Sequence, residues 1–147
     1  MEKIRKSSDI SDVNGLGVYG FRMEGIENDP TYPFPTLLIY GIQGYASYLI
    51  DIRFLETVYI ACSPSFEYGF IWRMATREEA EEMYMIADEG RAKVYCIEED
   101  ISGYVPPLYQ PLQRDARKFF IVARGLEITL KYDESFEDTV AGWGQPL

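Results

Sequence analysis

Hydrophobic and polar positions alternate most cleanly over Ala46–Phe54. Tyr48, Ile50, Ile52 and Phe54 fall on one face, and Ser47, Asp51 and Arg53 on the other. A period of two with one wet side predicts a strand lining a core. Thr57–Cys62 continues the pattern, and the combined run exceeds the usual strand of about five to six residues. A bend or bulge near Leu55-Glu56, or two separate strands, is therefore expected. Leu126–Tyr132 alternates too, with Leu126, Ile128, Leu130 and Tyr132 against Glu127, Thr129 and Lys131. Val18–Met23, Leu37–Ile42, Tyr68–Met74 and Lys93–Glu98 read as shorter strands. Prolines and glycines punctuate the loops between them, most densely over Gly103–Pro111.

Helical spacing is strongest over Arg77–Glu89. Ala80, Met83, Tyr84 and Ala87 form one apolar stripe. Thr76 and Glu79 form a T-x-x-E capping box, and Gly90 supplies the stop. With its flanking strands this gives a strand–helix–strand unit across residues 68–98, whose strands either pair in parallel or admit a third between them. Residues 112–124 are ambiguous. Leu112, Ala116, Phe119, Phe120 and Ala123 match helical spacing and favour a helix, while Phe119–Val122 also fits a buried strand. The pattern predicts an α+β fold: one mainly antiparallel sheet of about five to seven strands, with one or two helices packed on one face. Residues 1–15 read as a mobile polar leader, 16–132 as a single domain, and 133–147 as an acidic, Gly-rich C-terminal tail.

Charge narrows the function. The chain of 147 residues has 24 Asp and Glu against 14 Lys and Arg, and no histidine. A net charge of −10 argues against direct nucleic-acid binding, which needs an excess of bases. The missing histidine removes Ser-His-Asp and Cys-His catalysis and His-ligated zinc. Cys62 and Cys96 sit apart in apolar runs and read as buried free thiols in a reducing compartment, one disulfide being the alternative. No secretory signal and no run of about 18 apolar residues is present, so a cytoplasmic protein with no membrane partner is expected. Gly15-Leu16-Gly17-Val18-Tyr19-Gly20 fits a G-x-G-x-x-G, but no strand runs into it and no helix follows, so the dinucleotide reading fails its own context. The acidic Asp133–Asp138 run lacks the spacing of a calcium loop. The sequence calls for no metal, no cofactor and no catalytic residue.

The acid is concentrated on the capped helix, where Glu78, Glu81, Glu82, Asp88 and Glu89 lie outside the apolar stripe. Glu78 and Glu82 repel at i, i+4, and Asp88 and Glu89 occupy the negative end of the helix dipole. Such a ridge is either a solvated face or a docking surface for something positive. Tyr104, Tyr109 and Trp143, set among prolines and glycines, are candidate apolar anchors beside it. Arg22, Arg53 and Arg73 interrupt apolar strands. They make an anion pocket only if they share one face; otherwise each pairs with a nearby acid.

Three readings follow. The first is a small acidic interaction module or inhibitor that docks on a basic protein surface. Its specific version is nucleic-acid mimicry on a nucleic-acid-binding enzyme, of the immunity or phage counter-defence type. The second is a small-ligand or nucleotide binder using the arginines and tyrosines. The third, and weakest, is an enzyme working without histidine. The first fits the charge pattern best, and a homo-oligomer stays open under all three.

Overall fold

A computed structural model describes residues 2–16, 18, 20–28, 30–31, 33–42, 48–67, 69–101 and 115–146. Among them, nine strands form one antiparallel sheet: β1 (Glu2–Ser7), β2 (Gly20–Glu27), β3 (Thr36–Ile42), β4 (Tyr48–Ala61), β5 (Ser65–Glu67), β6 (Phe70–Met74), β7 (Lys93–Glu99), β8 (Lys118–Asp133) and β9 (Gln145–Pro146). The order is β5-β2-β3-β4-β8-β1-β9, with β7 joined to the first half of β8 and β6 to β7. The sheet is antiparallel as expected, and larger. The short β5 and β9 and the polar β1 carry no hydrophobic alternation that would announce them.

The backbone of the fold is the β4–β8 pair. β4 is a single strand with a bulge where one was expected. Glu56 has φ 50°, and the register against β8 shifts between Thr57 and Tyr59. The Thr57 hydroxyl donates to the Phe54 carbonyl at 2.7 Å, and its N–H donates to the Pro35 carbonyl at 2.7 Å, which fixes the kink. Ile50, Ile52 and Phe54 of β4 and Ile128 and Leu130 of β8 are fully buried in the main core. Burying each of them contributes roughly 1.5–3 kcal/mol. The flanks of the sheet meet through aromatic rings: Phe21 of β2 lies 4.9 Å from Trp72 of β6, and Phe66 of β5 lies 5.4 Å from Phe119 of β8.

Residues 118–124 correct the helical reading: they open β8. Phe120 to Ala123 are all buried, because this stretch is covered on both faces. Ile121 and Ala123 join the main core, while Phe120 and Val122 join a second cluster beneath α1 (Glu81–Gly90). A strand without alternation is indistinguishable by periodicity from a buried helix turn. Residues 112–114, where the expected helix begins, lie outside the described residues.

The readings of residues 1–15 and 133–147 are also corrected. Residues 2–7, read as a leader, form β1 and pair with residues 128–133 of β8. Residues 133–146 are built into the fold as a 3-10 turn, the short α2 (Glu137–Val140) and β9, which pairs with β1. Val140 and Trp143 enter the main core, so the two helices serve different clusters instead of sharing one layer. Finally, β6 and β7 flank α1 and pair directly in antiparallel register, with no third strand between them. No helix of the described residues is long and apolar enough to cross a membrane.

Candidate protein-interaction surface

The surface is built on α1 and the turn before it. The capping box forms: the Thr76 N–H donates to Glu79 Oε2 at 2.6 Å, and the Glu79 N–H donates to Thr76 Oγ1 at 3.3 Å. It closes a four-residue turn at 77–80, and regular helix begins only at Glu81 with Ala80 as an N-cap lacking a side-chain bond. The left-handed C-terminal residue is Arg91 (φ 55°), one position after the expected Gly90. The stripe is as read. Ala80 and Ala87 are buried and Met83 and Tyr84 half-buried over the second cluster, and the Tyr84 hydroxyl donates to the Ala75 carbonyl.

Within this turn Glu79 has a second employment. Arg73 of β6 grips its carboxylate in bidentate fashion at 2.6 and 2.7 Å, and Lys118 of β8 adds a third contact at 2.9 Å. Arg73 also donates to Glu98 of β7 at 2.8 Å. The Arg73 guanidinium, aided by the Thr76 N–H and Lys118, holds the Glu79 carboxyl well below the usual carboxylate range against the opposing effect of burial. Glu79, in turn, raises Arg73. Glu79 therefore ties the turn before α1 to β6 and β8, and through Arg73 to Glu98 of β7, and it leaves the acidic face.

The acids that remain on that face are Glu78, Glu81, Glu82, Asp88 and Glu89, all exposed. Asp88 is partly neutralised by Arg77, whose guanidinium folds over the Tyr84 ring at 4.7 Å and reaches Asp88 at 3.1 Å. Glu78, Glu81, Glu82 and Glu89 form no ion pair with any described residue. In their midst Met85 is 68% exposed and its neighbour Ile86 41%. Helical spacing places Glu81, Glu82, Asp88 and Glu89 at i−4, i−3, i+3 and i+4 from Met85, so the thioether stands inside a ring of carboxylates. Sequence reasoning missed Met85 and Ile86. Their exclusion from the apolar stripe is the signal that marks them as exposed.

The other sequence candidates disperse. Trp143 is not an exposed anchor: it is 8% exposed, and its Nε1 donates to the Asp12 carbonyl at 2.7 Å. The flanking Gly142 (φ 86°) and Gly144 (φ 53°) turn the backbone so that the ring faces inward. Tyr104 and Tyr109 lie outside the described residues. The three arginines do not converge. Arg73 belongs to the Glu79 network, and Arg53 stands 3.8 Å from Glu27. Arg22 alone lines a cleft of about 750 Å³, floored by Phe21, Phe66 and Phe70, whose walls also carry Glu67, Glu99, Asp100 and Arg117. Arg117 is itself paired to Glu99 at 2.9 Å, so this cleft is not an anion pocket built from strand arginines.

Cys62 and Cys96 are free, and burial pushes their thiols up to about 12 and about 11. Among the described residues, no three His, Cys, Asp or Glu side chains converge as a metal set. No protein-family model, curated protein or solved structure matches this protein.

Proposed function

We propose that this protein is a small acidic interaction module that presses the outer face of α1 onto a basic protein surface. A nucleic-acid-binding enzyme is the specific form of partner, since carboxylates spaced along a ridge replace a phosphate backbone. The observation that carries the reading is Met85: a large apolar side chain left in water at the centre of carboxylates, four of which have no cation of their own among the described residues around α1. An apolar anchor inside a charged rim is the usual anatomy of a docking site, with the charge setting on-rate and specificity and the anchor setting residence time. Neighbouring like charges, and acids at the helix C-terminus, each cost a few tenths of a kcal/mol in the free protein, which a cationic partner relieves. Free thiols that burial keeps protonated fit a cytoplasmic setting.

The test is affinity capture from the native host at low and high salt, with wild type, Glu78→Lys/Glu81→Lys/Glu82→Lys and Met85→Ser as baits. A partner of the expected kind is held by wild type at low salt, released at high salt and lost from the triple variant. With that partner purified, the triple variant lowers kon, and Met85→Ser raises koff by about tenfold. Capture that is indifferent to the triple reversal removes the ridge from the function.

A second reading rests on the aromatic-floored cleft at Arg22, Tyr40 and Glu67. It has a small phosphorylated or nucleotide ligand bind there, and it predicts thermal stabilisation by that ligand, reduced in Arg22→Ala. Catalysis fits less well. The most strongly displaced carboxylate, Glu79, is held down by Arg73, which is the wrong direction for a general acid.

A further inference from the structure

Asn14-Gly15 reads as a turn in the sequence, but Asn14 performs a different task in the fold. β6 pairs with β7 on one side, and no strand among the described residues pairs with its other side. Asn14, in the 3-10 helix Ile10–Gly15, occupies that side at the middle of the strand. Its Nδ2 donates to the Trp72 carbonyl at 2.7 Å, and its Oδ1 accepts from the Trp72 N–H at 2.7 Å. One asparagine amide thus reproduces both hydrogen bonds of a ladder pair. The 3-10 helix is held in turn by Trp143, through the hydrogen bond to Asp12.

An asparagine followed by glycine is an unusually labile amide, because glycine lacks the side chain that would hinder attack by its own nitrogen. The deprotonated Gly15 nitrogen attacks Asn14 Cγ, the Cγ–Nδ2 bond breaks, ammonia leaves and a succinimide ring forms. Water opens the ring at either carbonyl to give aspartate or isoaspartate. One water is consumed and one ammonia released, with no oxidant and no cofactor.

We propose that Asn14 is a self-hydrolysing latch on the edge of β6. While both amide atoms are bound to Trp72 and the backbone is wound in the 3-10 helix, the Gly15 nitrogen is kept from Cγ. Hydrolysis proceeds only when this segment lifts from β6. The conversion is then one-way. A carboxylate has no Nδ2 donor and sets negative charge against the Trp72 carbonyl, so the latch does not re-close and the Trp72 carbonyl loses its partner.

Peptide mass spectrometry across residue 14 tests this on the full-length protein held at mildly alkaline pH, folded and in urea. Conversion of the folded protein should be at least about tenfold slower than in urea, the protection expected of a gated local opening. Trp143→Phe, which removes the hydrogen bond to Asp12, should fall between the two. Gly15→Ala is the chemical control: a Cβ there meets nothing within 4 Å and the backbone is not left-handed, so the fold is retained while conversion nearly stops. Asn14→Asp should speed amide exchange in β6 while leaving β4–β8 exchange unchanged. Equal conversion rates folded and in urea would overturn the latch, as would unaltered β6 exchange in Asn14→Asp. Should Trp143→Phe fail to fold, the wild-type comparison decides alone.

Discussion

Glu78 and Glu79 are consecutive and chemically identical, yet they have opposite fates. Glu78 is exposed with no ion pair among the described residues. The side chain of Glu79 is 11% exposed and bound by Arg73, Lys118 and the Thr76 N–H. The same contrast separates two regions. Around β6, β7 and the start of β8, Glu79, Glu98 and Glu99 are answered by Arg73, Lys118 and Arg117. On the α1 face the acids outnumber the one cation paired with them among the described residues, Arg77. Negative charge in the sequence thus divides into charge that holds the fold and charge that is left over, and only the second kind is available to a partner.

Replacing Glu79 by Gln breaks the paired region most severely. It leaves the Arg73 guanidinium and the Lys118 ammonium facing a neutral amide in a half-buried site, at a cost of about 3 kcal/mol by urea unfolding. A loss under about 0.5 kcal/mol, the usual value of an exposed pair, would erase the distinction between the regions. Acid titration sharpens it. The folded-state carboxyl of Glu79 is depressed, so its contribution is full above the ordinary carboxyl value of 4.5 and is lost as pH falls below it. Over that window the wild-type stability curve should fall, and the Glu79→Gln curve should be flatter.

Arg73→Lys keeps the charge but loses the fork that serves Glu79 and Glu98 together, with an expected loss of about 1–2 kcal/mol. A neutral result would mean that charge alone, without geometry, secures α1. The smallest effects belong to the ridge. Glu89→Lys places a cation at the helix C-terminus and should raise stability by about 0.3–0.5 kcal/mol. Asp88→Lys gains the same dipole interaction but loses the Arg77 pair, and should be close to neutral. Equal gains in the two variants would show that the Arg77–Asp88 pair contributes nothing.

Local patterns are legible where one face of a strand is dry and the other wet, as along Ile50–Phe54 and Leu126–Tyr132. The Leu55-Glu56 bulge is readable as an overlong run. Legibility fails where burial is arranged by residues far away in the sequence. Phe120–Ala123 lose their alternation because α1 covers one face and the main core the other. Trp143 reads as free among its glycines, yet those glycines bring the backbone against β1. A Cβ at Gly144 would collide with the Lys6 carbonyl oxygen. Arg5 is 7% exposed, which nothing in Glu2–Ser7 announces. Its guanidinium donates to the Tyr132 hydroxyl, the Trp143 carbonyl and Glu137, all supplied by the far end of the sequence. At the candidate surface the ridge acids are visible as off-stripe positions. The neutralisation of Glu79 is not, because Arg73 and Lys118 meet it only once β6, β7 and β8 are aligned.

The pairing of β1 with residues 128–133 has a consequence for synthesis. A ribosome releases Glu2–Ser7 well before its ladder partner, which emerges more than a hundred residues later. Closure of so distant a contact is entropically slow, and an apolar segment waiting that long would recruit neighbouring molecules. The sequence Glu-Lys-Ile-Arg-Lys-Ser offers only one aliphatic side chain during the delay. Its charges act as a gatekeeper for the nascent polypeptide, and Arg5 is withdrawn from water only when Tyr132 and Glu137 arrive to receive it.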